Sequence, residues 1–433
     1  SSSIWPLAFP QTTIANSCRF NDGSADNLSR TTWATPTSTK IFTMSVWVKR
    51  TTLGATQQIV NSYVGSGNDN QLKFKDTDAV ELTVSSSSTE YFLKTNRLFR
   101  DVSAWYNIVF AFDSTQATDS DRYKLYINGT QETSFSSVSY PPQDTTYQFF
   151  NNSNANRIGV AHGGSSEPFD GYMAEFIFVD GQALTPTSFG IFNTVSNVWE
   201  PRAYAGTYGN NGFRLDFANS SALGTDVSGN SKTFTVNNLT SIDQSTDTCS
   251  NNFATMNPLN NENTLSEGNL KIVTGSNTGT AGTMGFSSGK WYFEVKVDTA
   301  GGSYPFIGVV LQERYPVSSV GGGTARWVGN GGLSDGDIVG FAVDLDSNTF
   351  NAYINGSVLT EPSSYINTSD GTIPAGDWIP AMSGVSSTFS VNFGNPPYSI
   401  SSGNSDANGY GNFEYAVPSG YYAICTKNLA EFG

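Results

Sequence analysis

The side chains that could carry acid–base or metal chemistry are few in this sequence. His162 is the single histidine, so a Ser-His-Asp triad would have to use it, and a metal site with three histidine ligands cannot form. It lies in a glycine-rich stretch, AHGGSS, which predicts a loop. Cys18, Cys249 and Cys425 are far apart in the chain. This sparse, odd number of cysteines argues against a disulfide framework or a zinc knuckle and predicts inert thiols.

Paired carboxylates would indicate a glycoside hydrolase, whose retaining form needs two of them about 5–5.5 Å apart. Asp344 and Asp346 have the i, i+2 spacing that places two side chains on one face of a strand. However, the sequence DLDSN runs directly into a turn, so Asp346 is better explained as a turn residue. Asp335 and Asp337 flank a glycine in a similar turn. We therefore expect a protein that is not an enzyme, with polysaccharide degradation as the least favoured alternative.

The overall composition narrows the class of protein further. The 433 residues carry a formal net charge of −15, and 14% are charged while 13% are aromatic. So many aromatic residues argue against disorder, and abundant turn residues favour short strands. An acidic chain repels the phosphates of nucleic acids. The sequence contains no apolar run of about 18 residues, so no membrane span is predicted. The first residues lack the basic and apolar regions of a secretory signal, so none is expected.

Alternation of apolar and polar residues predicts strands in both halves of the chain. The segments 41–50 and 290–299 are apolar at every second position, which is typical of a strand with one buried face. Asn128-Gly129 predicts a tight hairpin turn. Turn signals recur about every ten residues, as in β-sandwiches. Three tryptophans inside such strand blocks are expected in the core: Trp47, Trp105 and Trp291.

The order of these blocks resembles two known domain families. SCRFNDGSADNLSRT, FTMSVWVKR, SAWYNIVFAFD, YKLYINGTQ and FDGYMAEFIFVDGQAL resemble the laminin G-like, concanavalin A-like jelly roll over 15–192. SGKWYFEVKV, GDIVGFAVDLD, FNAYINGSVL and FSVNFGNPPY resemble a SPRY domain over 265–396. The tandem order is similar to virion proteins of tailed marine bacteriophages, which are commonly labelled tail fibre or structural proteins.

This resemblance implies the fold class and the domain organisation. We predict an all-β protein with two jelly-roll-type antiparallel β-sandwiches joined by an ordered connector. The predicted segments are an N-terminal arm (1–14), the laminin G-like sandwich (15–196), the connector (197–262) and the SPRY-like sandwich (263–433).

The jelly-roll resemblance also implies a candidate calcium site. Sandwich lectins hold sugars with aromatic, Asn and Asp side chains, often around a calcium ion that carboxylates bind. Asp22, in NDGSAD, and Asp170, in FDGY, lie on loops where relatives sometimes have calcium ligands. The alternative is that both side chains cap turns beside glycines. We expect no required cofactor, with Ca²⁺ as the one candidate.

In the SPRY-like half, the resemblance implies a ligand-binding surface built from loops, here 312–332 and 361–377. Tyr, Trp and Arg dominate binding hot spots. The open alternative is that Trp327 belongs to the core and Arg326 is a solvated residue at the rim. The candidate contact residues are Arg314, Tyr315, Arg326 and Trp327.

These expectations point to a non-enzymatic protein on the surface of a phage virion, on the tail or the capsid exterior. It would adhere to a host or environmental glycan or to a receptor. The alternative is a purely structural capsid decoration or fibre protein. The expected partners are other virion proteins and copies of the same chain, with a trimer as the expected oligomer, and neither nucleic acid nor membrane.

The N-terminal arm is the candidate for docking on the virion. Its apolar side chains lie at an unprotected terminus and would gain from burial against a partner. The docking candidates are Ile4, Trp5, Leu7 and Phe9.

Overall fold

The computed structural model describes residues 12–65, 68–261, 263–301, 303–314, 325–329, 332–359, 366–367 and 371–433. The chain divides into two compact units. The first reaches Gln244 and includes 248–250, and the second comprises 245–247 and 251–433. Strands dominate both units, and the described part contains one α-helix, so the predicted all-β fold class is confirmed. No helix in these ranges is long and apolar enough to cross a membrane.

The first unit consists of antiparallel strands with short 3₁₀ turns between some of them. The 3₁₀ turns are Asp22–Ser24, Asp119–Asp121, Pro186–Ser188 and Ser241–Asp243. The strands are β1 (Ser17–Phe20), β2 (Asn27–Arg30), β3 (Ile41–Arg50), β4 (Gln57–Tyr63), β5 (Asp69–Phe74), β6 (Ala79–Ser86), β7 (Thr89–Leu98), β8 (Tyr106–Asp113), β9 (Tyr123–Ile127), β10 (Thr130–Gln131), β11 (Phe135–Ser139), β12 (Asn156–Ile158), β13 (Gly171–Asp180), β14 (Gly190–Phe192), β15 (Trp199–Pro201), β16 (Phe213–Leu215) and β17 (Thr235–Asn237).

Two sheets of this unit enclose one apolar core. Sheet 1 has the order β10-β9-β8-β3-β13-β1, with β16 also pairing β13, and sheet 2 has the order β11-β7-β6-β5-β4-β12-β2-β17. On β3, every second residue from Phe42 to Val48 lies in the core, because successive side chains of a strand point to opposite faces. Trp47 packs with Trp105 on the outer face of sheet 1. Both tryptophans are buried, as predicted.

The predicted hairpin turn between β9 and β10 is confirmed. Asn128 and Gly129 have φ angles of 48° and 78°, as a type I′ turn requires. A Cβ atom on Gly129 would lie 2.3 Å from Cε3 of Trp199. Glycine is therefore needed here both for the backbone conformation and for the approach of the Trp199 ring.

The segment from 197 to Gln244 lies within the first unit. β16 pairs with β13 of sheet 1, and β17 pairs with β2 of sheet 2. Phe213 and Phe234 pack around Trp33, with ring centroids 6.2 Å and 5.9 Å from its ring. Much of the predicted connector thus extends both sheets of the first sandwich, because its apolar residues close one end of the same core.

The second unit also consists mainly of antiparallel strands and ends in the helix. It contains one described 3₁₀ turn, Gln312–Arg314. The elements are β18 (Gln244–Ser245, at the boundary between the units), β19 (Met256–Asn261), β20 (Thr264–Ser266), β21 (Lys271–Val273), β22 (Ser276–Gly282), β23 (Lys290–Thr299), β24 (Ser303–Leu311), β25 (Ala325–Gly329), β26 (Ile338–Asp344), β27 (Thr349–Ile354), β28 (Ser357–Val358), β29 (Ile366–Asn367), β30 (Trp378–Val385), β31 (Thr388–Asn392), β32 (Tyr422–Ala423) and α1 (Thr426–Phe432).

A second core lies between two sheets of this unit. Sheet 3 has the order β19-β22-β30-β24-β25-β29, and sheet 4 has the order β20-β21-β31-β23-β26-β27-β28, with β32 pairing β23. On β23, Trp291 and the alternate residues to Val297 lie in this core, so the predicted burial of Trp291 is confirmed. The opposite face of β23 is also buried, because Tyr292 and Glu294 lie beneath a segment near the C-terminus.

Candidate functional site

One face of sheet 2 carries polar side chains that contact a loop. On β5, Leu72 and Phe74 belong to the core, so the alternate residues Asp69, Gln71 and Lys73 point to the other face. The loop 161–168, between β12 and β13, contacts this face through its own polar side chains. We call the following residues the polar face: Gln58, Asn61, Tyr63, Asp69, Gln71, Lys73, His162 and Glu167.

Amide and charged side chains form a network across the polar face. The Gln58 Nε2 donates to Gln71 Oε1 at 3.0 Å and to Glu167 Oε2 at 2.6 Å. Lys73 Nζ donates to Gln71 Oε1 at 2.6 Å and lies 3.4 Å from Glu81 Oε1. The donors of this network are therefore already engaged with acceptors on the same face.

Two acceptor atoms of the polar face are left over. The Asn61 Nδ2 donates to Asp69 Oδ1 at 3.4 Å, yet Asn61 Oδ1 and Gln58 Oε1 have no hydrogen-bond partner among the described residues. Gln58 is only 1% exposed and Asn61 only 2%. A buried amide oxygen without a donor is costly. These two oxygens are themselves covered by protein, and a donor group that reached them would bind favourably.

The carboxyl group of Asp69 also lies in an unusual environment. Burial raises its pKa above the ordinary value, and the neighbouring Glu167 adds to this effect. The hydrogen bond from Asn61 and the charges of His162 and Lys73 act in the opposite direction. A carboxyl group whose charged form is disfavoured gains from further hydrogen-bond donors.

The aromatic part of the polar face is formed by one strand and one loop. The Tyr63 and His162 rings are stacked, with centroids 3.7 Å apart and an interplanar angle of 14°. The loop is held at its other end by the backbone, since the Gln58 N–H donates to the Glu167 carbonyl at 2.9 Å. Gly163 and Gly164 have φ angles of 90° and 86°, which let the chain turn sharply between these two contacts.

Taken together, these groups have the chemistry of a site for hydroxyl-rich molecules. Sugar rings present many O–H donors together with apolar C–H faces. The Asn61 and Gln58 oxygens are acceptors without a donor among the described residues, and the exposed His162 ring beside Tyr63 offers an aromatic surface.

A separate groove of about 220 Å³ lies on the outer side of sheet 1. Its polar groups are largely paired with one another. Asp113 accepts hydrogen bonds from Thr115 and Gln116, and Lys124 Nζ lies 3.1 Å from Asp121 Oδ1. Burial by itself would raise the pKa of Asp113, but the bonds from Thr115 and Gln116 outweigh it and the pKa is lowered. This groove therefore presents fewer unsatisfied groups than the polar face.

The two predicted calcium ligands lie at the same end of one strand pair. Phe20 of β1 pairs with Gly171 of β13, so the 3₁₀ turn with the exposed Asp22 follows β1 where Asp170 precedes β13. The buried Asp170 carboxylate accepts a hydrogen bond from the Thr52 hydroxyl. Within the described ranges, no group of three or more His, Cys, Asp or Glu side chains is arranged to hold a metal ion. Calcium binding at Asp22 and Asp170 stays a prediction.

Arg326 and Trp327 do not form one contact surface, because they are consecutive residues of β25 and point to opposite faces of sheet 3. Arg326 is 6% exposed. It is therefore neither an exposed residue of a binding loop nor a solvated residue at the rim. Its Nε donates to the Thr372 carbonyl at 2.6 Å, and its guanidinium lies 5.9 Å from the centre of the Trp378 ring. Trp327 is half-buried and packs edge-on against Phe306 at 4.5 Å.

The other predicted contact residues are described only in part or not at all. Arg314 ends the 3₁₀ turn Gln312–Arg314, and its side chain lies outside the described structure. Tyr315 lies outside the described residues, as does much of the two candidate loops. The four docking candidates, Ile4, Trp5, Leu7 and Phe9, also lie outside the described residues.

The acidic pairs considered for catalysis hold turns and loops through hydrogen bonds, and Asp344 is the last residue of β26. Asp344 accepts hydrogen bonds from the N–H groups of Asp346 and Ser347 at 3.0 and 2.9 Å, as the turn interpretation predicts. Asp335 accepts from the Ala300 N–H at 2.7 Å. Asp337 accepts from the Ser334 N–H, also at 2.7 Å. These carboxylates hold loops together.

Two of the three cysteines are buried, and none forms a disulfide. Burial raises the pKa of Cys425 to about 11 and raises the pKa of Cys18 as well. Both thiols are therefore protonated at neutral pH, in agreement with the expectation of inert cysteines.

Sequence reasoning identified neither the polar face nor the position of His162 within it. The signal was present in β5, where Asp69, Gln71 and Lys73 alternate with apolar residues. The pairing of β4 with β5 and the contact of both with a loop about one hundred residues later could not be obtained from that alternation.

Comparison with known proteins agrees with the sandwich architecture of the first unit. Residues 22–188 match the model of the concanavalin A-like lectin/glucanases superfamily. The predicted laminin G-like, concanavalin A-like jelly roll is thereby confirmed for this part of the chain. No curated protein matches the chain.

Solved structures that are similar to parts of this chain include a pentraxin, a SPRY domain and a carbohydrate-binding module. The heptameric SAP-like pentraxin from Limulus polyphemus is 16% identical, with 40% of this chain and 80% of that chain covered and a TM-score of 0.30. The SPRY domain of human HERC1 is 15% identical, with 31% and 96% covered and a TM-score of 0.24. The CBM40 module of the Ruminococcus gnavus IT-sialidase bound to α2,3-sialyllactose is 18% identical, with 31% and 75% covered and a TM-score of 0.23.

Proposed function

We propose that the chain is a non-enzymatic glycan-binding protein and that the polar face is its sugar site. The observation that carries this proposal is the pair of buried amide oxygens, Gln58 Oε1 and Asn61 Oδ1, which lack a donor among the described residues. The stacked rings of Tyr63 and His162 supply an aromatic surface next to them. A sugar ring would lie against the exposed His162 ring, and its hydroxyls would donate to the two oxygens once the side chains that cover these atoms move aside.

The biological setting that we propose is the surface of a phage virion, where the protein adheres to a host or environmental glycan or to a receptor. A single sugar site is weak, and repeated copies on a particle raise the overall affinity through effective concentration. A homo-oligomer, with a trimer as the expected number, would supply such copies. Low charge content and a polar surface suit a particle that must not adhere unspecifically.

A second candidate function, a structural contact with neighbouring virion proteins, is favoured by the hairpin of β14 and β15. Val195 at its tip is 95% exposed, and Phe192 and Val198 are also exposed. Trp199 fixes the hairpin on sheet 1, since its Nε1 donates to Asn107 Oδ1 at 3.0 Å. A rigidly held apolar tip suits a protein–protein contact.

The sugar site is tested by exchanging one amide at a time on two different surfaces. Gln58→Ala removes an acceptor of the polar face, and Gln116→Ala is the matched control in the groove on sheet 1. We expect Gln58→Ala to weaken binding to immobilised glycans at least about tenfold, while Gln116→Ala binds like the wild type. The opposite pattern would assign the sugar to the groove. Release of reducing ends from the bound polysaccharide would contradict the non-enzymatic role.

The setting is tested by imaging whole virions at a resolution that identifies this chain. Density at the distal end of the tail supports adhesion. Density on the capsid lattice, with the Val195 tip buried against a neighbour, supports the structural role instead.

A further inference from the structure

We infer that the polar face selects neutral or amino sugars and rejects sugars that carry carboxylate or sulfate groups. This inference rests on the proposed function, because it names the class of sugar that the same site would take. It follows from the balance of donors, acceptors and charges at the site.

The first argument is the balance of hydrogen-bonding groups. Gln58 Nε2 already donates to two oxygens, and Asn61 Nδ2 donates to Asp69. What the site lacks is donors for Gln58 Oε1 and Asn61 Oδ1. Hydroxyl and ammonium groups are donors, whereas a carboxylate or a sulfate only accepts hydrogen bonds.

The second argument is the charge next to the leftover oxygens. Asn61 contacts the carboxyl group of Asp69, and Gln58 contacts that of Glu167. The negative charge of Glu167 is close enough to raise the pKa of Asp69. A third anion brought by an acidic sugar would be repelled by both groups, while the ammonium of an amino sugar would be attracted.

The cations near this site already have hydrogen-bond partners. Lys73 is bonded to Gln71 and lies beside Glu81. Arg157, opposite Asn61 in the pairing of β12 and β4, donates to Asn27 Oδ1 at 3.1 Å. Its guanidinium also lies against Gly164 of the loop, where a Cβ atom would be 3.2 Å from its Nη1. Lys73 is thus paired with a carboxylate of its own, and the single positive charge of Arg157 is outnumbered by the carboxyl groups of Asp69 and Glu167.

The experiment compares neutral, amino and acidic oligosaccharides of equal length on the full chain, at low and at physiological ionic strength. Neutral glucose or galactose oligomers, chitosan oligomers, and sialylated, uronate or sulfated oligomers serve as probes. We expect the acidic probes to bind at least about tenfold more weakly than the neutral ones. We expect this difference to shrink as salt is added, because salt screens exposed charges.

Removal of one charge tests which residue sets the selectivity. Glu167→Gln retains an acceptor for Gln58 and leaves the backbone contact of residue 167 intact, so the loop is expected to stay in place. This variant should bring acidic probes to within about threefold of neutral ones. Asp119→Asn makes the same change of charge at an exposed 3₁₀ turn of the same unit and should leave the selectivity unchanged.

The outcomes separate this inference from the proposed function. Binding that favours acidic probes, or selectivity that survives Glu167→Gln, overturns the inference and leaves glycan binding standing. Absence of binding to every probe overturns the proposed function and the inference together. Binding of neutral or amino probes that is lost selectively in Gln58→Ala supports both.

Discussion

Glu294 holds the segment near the C-terminus on sheet 4, and its removal is expected to destabilise the second unit. This side chain is 0% exposed. Its Oε1 accepts from the Tyr292 hydroxyl at 3.1 Å and from the Tyr415 N–H at 2.9 Å. Its Oε2 accepts from the Glu414 N–H at 2.9 Å and from Asn392 Nδ2 at 3.2 Å. Glu294→Ala would leave all four donors without this acceptor.

The size of the effect follows from where these donors lie. The bonds from Tyr292 and Asn392 are buried, and each buried donor left without an acceptor costs about 1–3 kcal/mol. The bonds from Glu414 and Tyr415 are partly buried, so water can replace the carboxylate there at less than about 1 kcal/mol each. We expect Glu294→Ala to lower the free energy of unfolding by about 3–5 kcal/mol.

Two measurements check this expectation. Denaturant unfolding gives the loss of stability, and hydrogen exchange of peptides that contain residues 414 and 415 gives the local loss of protection. Glu431→Ala, an exposed glutamate of α1, is the control and should change the stability by less than about 0.5 kcal/mol. The reasoning is refuted if Glu294→Ala unfolds like this control and the two amides exchange as slowly as in the wild type.

Four further predictions concern pH, an ion-pair cluster, calcium and the N-terminal arm. Burial raises the pKa of Glu294 despite its four donors. The stability that its protonated form contributes is therefore lost as pH rises through the folded pKa, and the advantage of the wild type over Glu294→Gln should grow toward about pH 4 in denaturant titrations. For Asp78, burial alone would raise the pKa, but hydrogen bonds from the Gly54 N–H, Arg100 and Arg50 lower it. Its contribution is therefore lost as pH falls, and Asp78→Ala, which leaves the fully buried Arg50 unpaired, should cost about 3–5 kcal/mol at neutral pH in the same assay. If calcium binds at the predicted ligands, a chelator should lower the melting temperature, whereas an unchanged value would contradict calcium binding. Deletion of residues 1–12 should prevent incorporation into particles while the melting temperature is retained, and normal incorporation would contradict the docking role.

The strands and their buried faces could be predicted because they depend on short-range alternation. The burial of Trp47 and Trp291 was expected because both lie in segments that alternate with a period of two residues, β3 and β23. The turn at Asn128-Gly129 followed from local backbone chemistry.

The candidate site residues could not be predicted equally well, because a site depends on which segments meet. Arg326 and Trp327 are attractive by residue type, but their position inside a strand separates them. The polar face required the contact of Tyr63 with His162 across a long stretch of sequence, and no local pattern encodes that contact. The segment that covers Glu294 on β23 could not be predicted for the same reason, since its contacts come from residues more than one hundred positions later in the chain.

The way in which Glu294 holds its partners has a consequence for sequence variation. Its contacts with residues 414 and 415 are made to main-chain N–H groups, which every amino acid except proline provides. The carboxylate therefore recognises the path of the chain and is insensitive to the side chains that the chain carries. A proline at either position would remove one of the two N–H donors. Other substitutions would leave the contacts with Glu294 in place, but a change at Glu414 would also remove the bond that its carboxylate accepts from the Ser401 N–H at 2.7 Å.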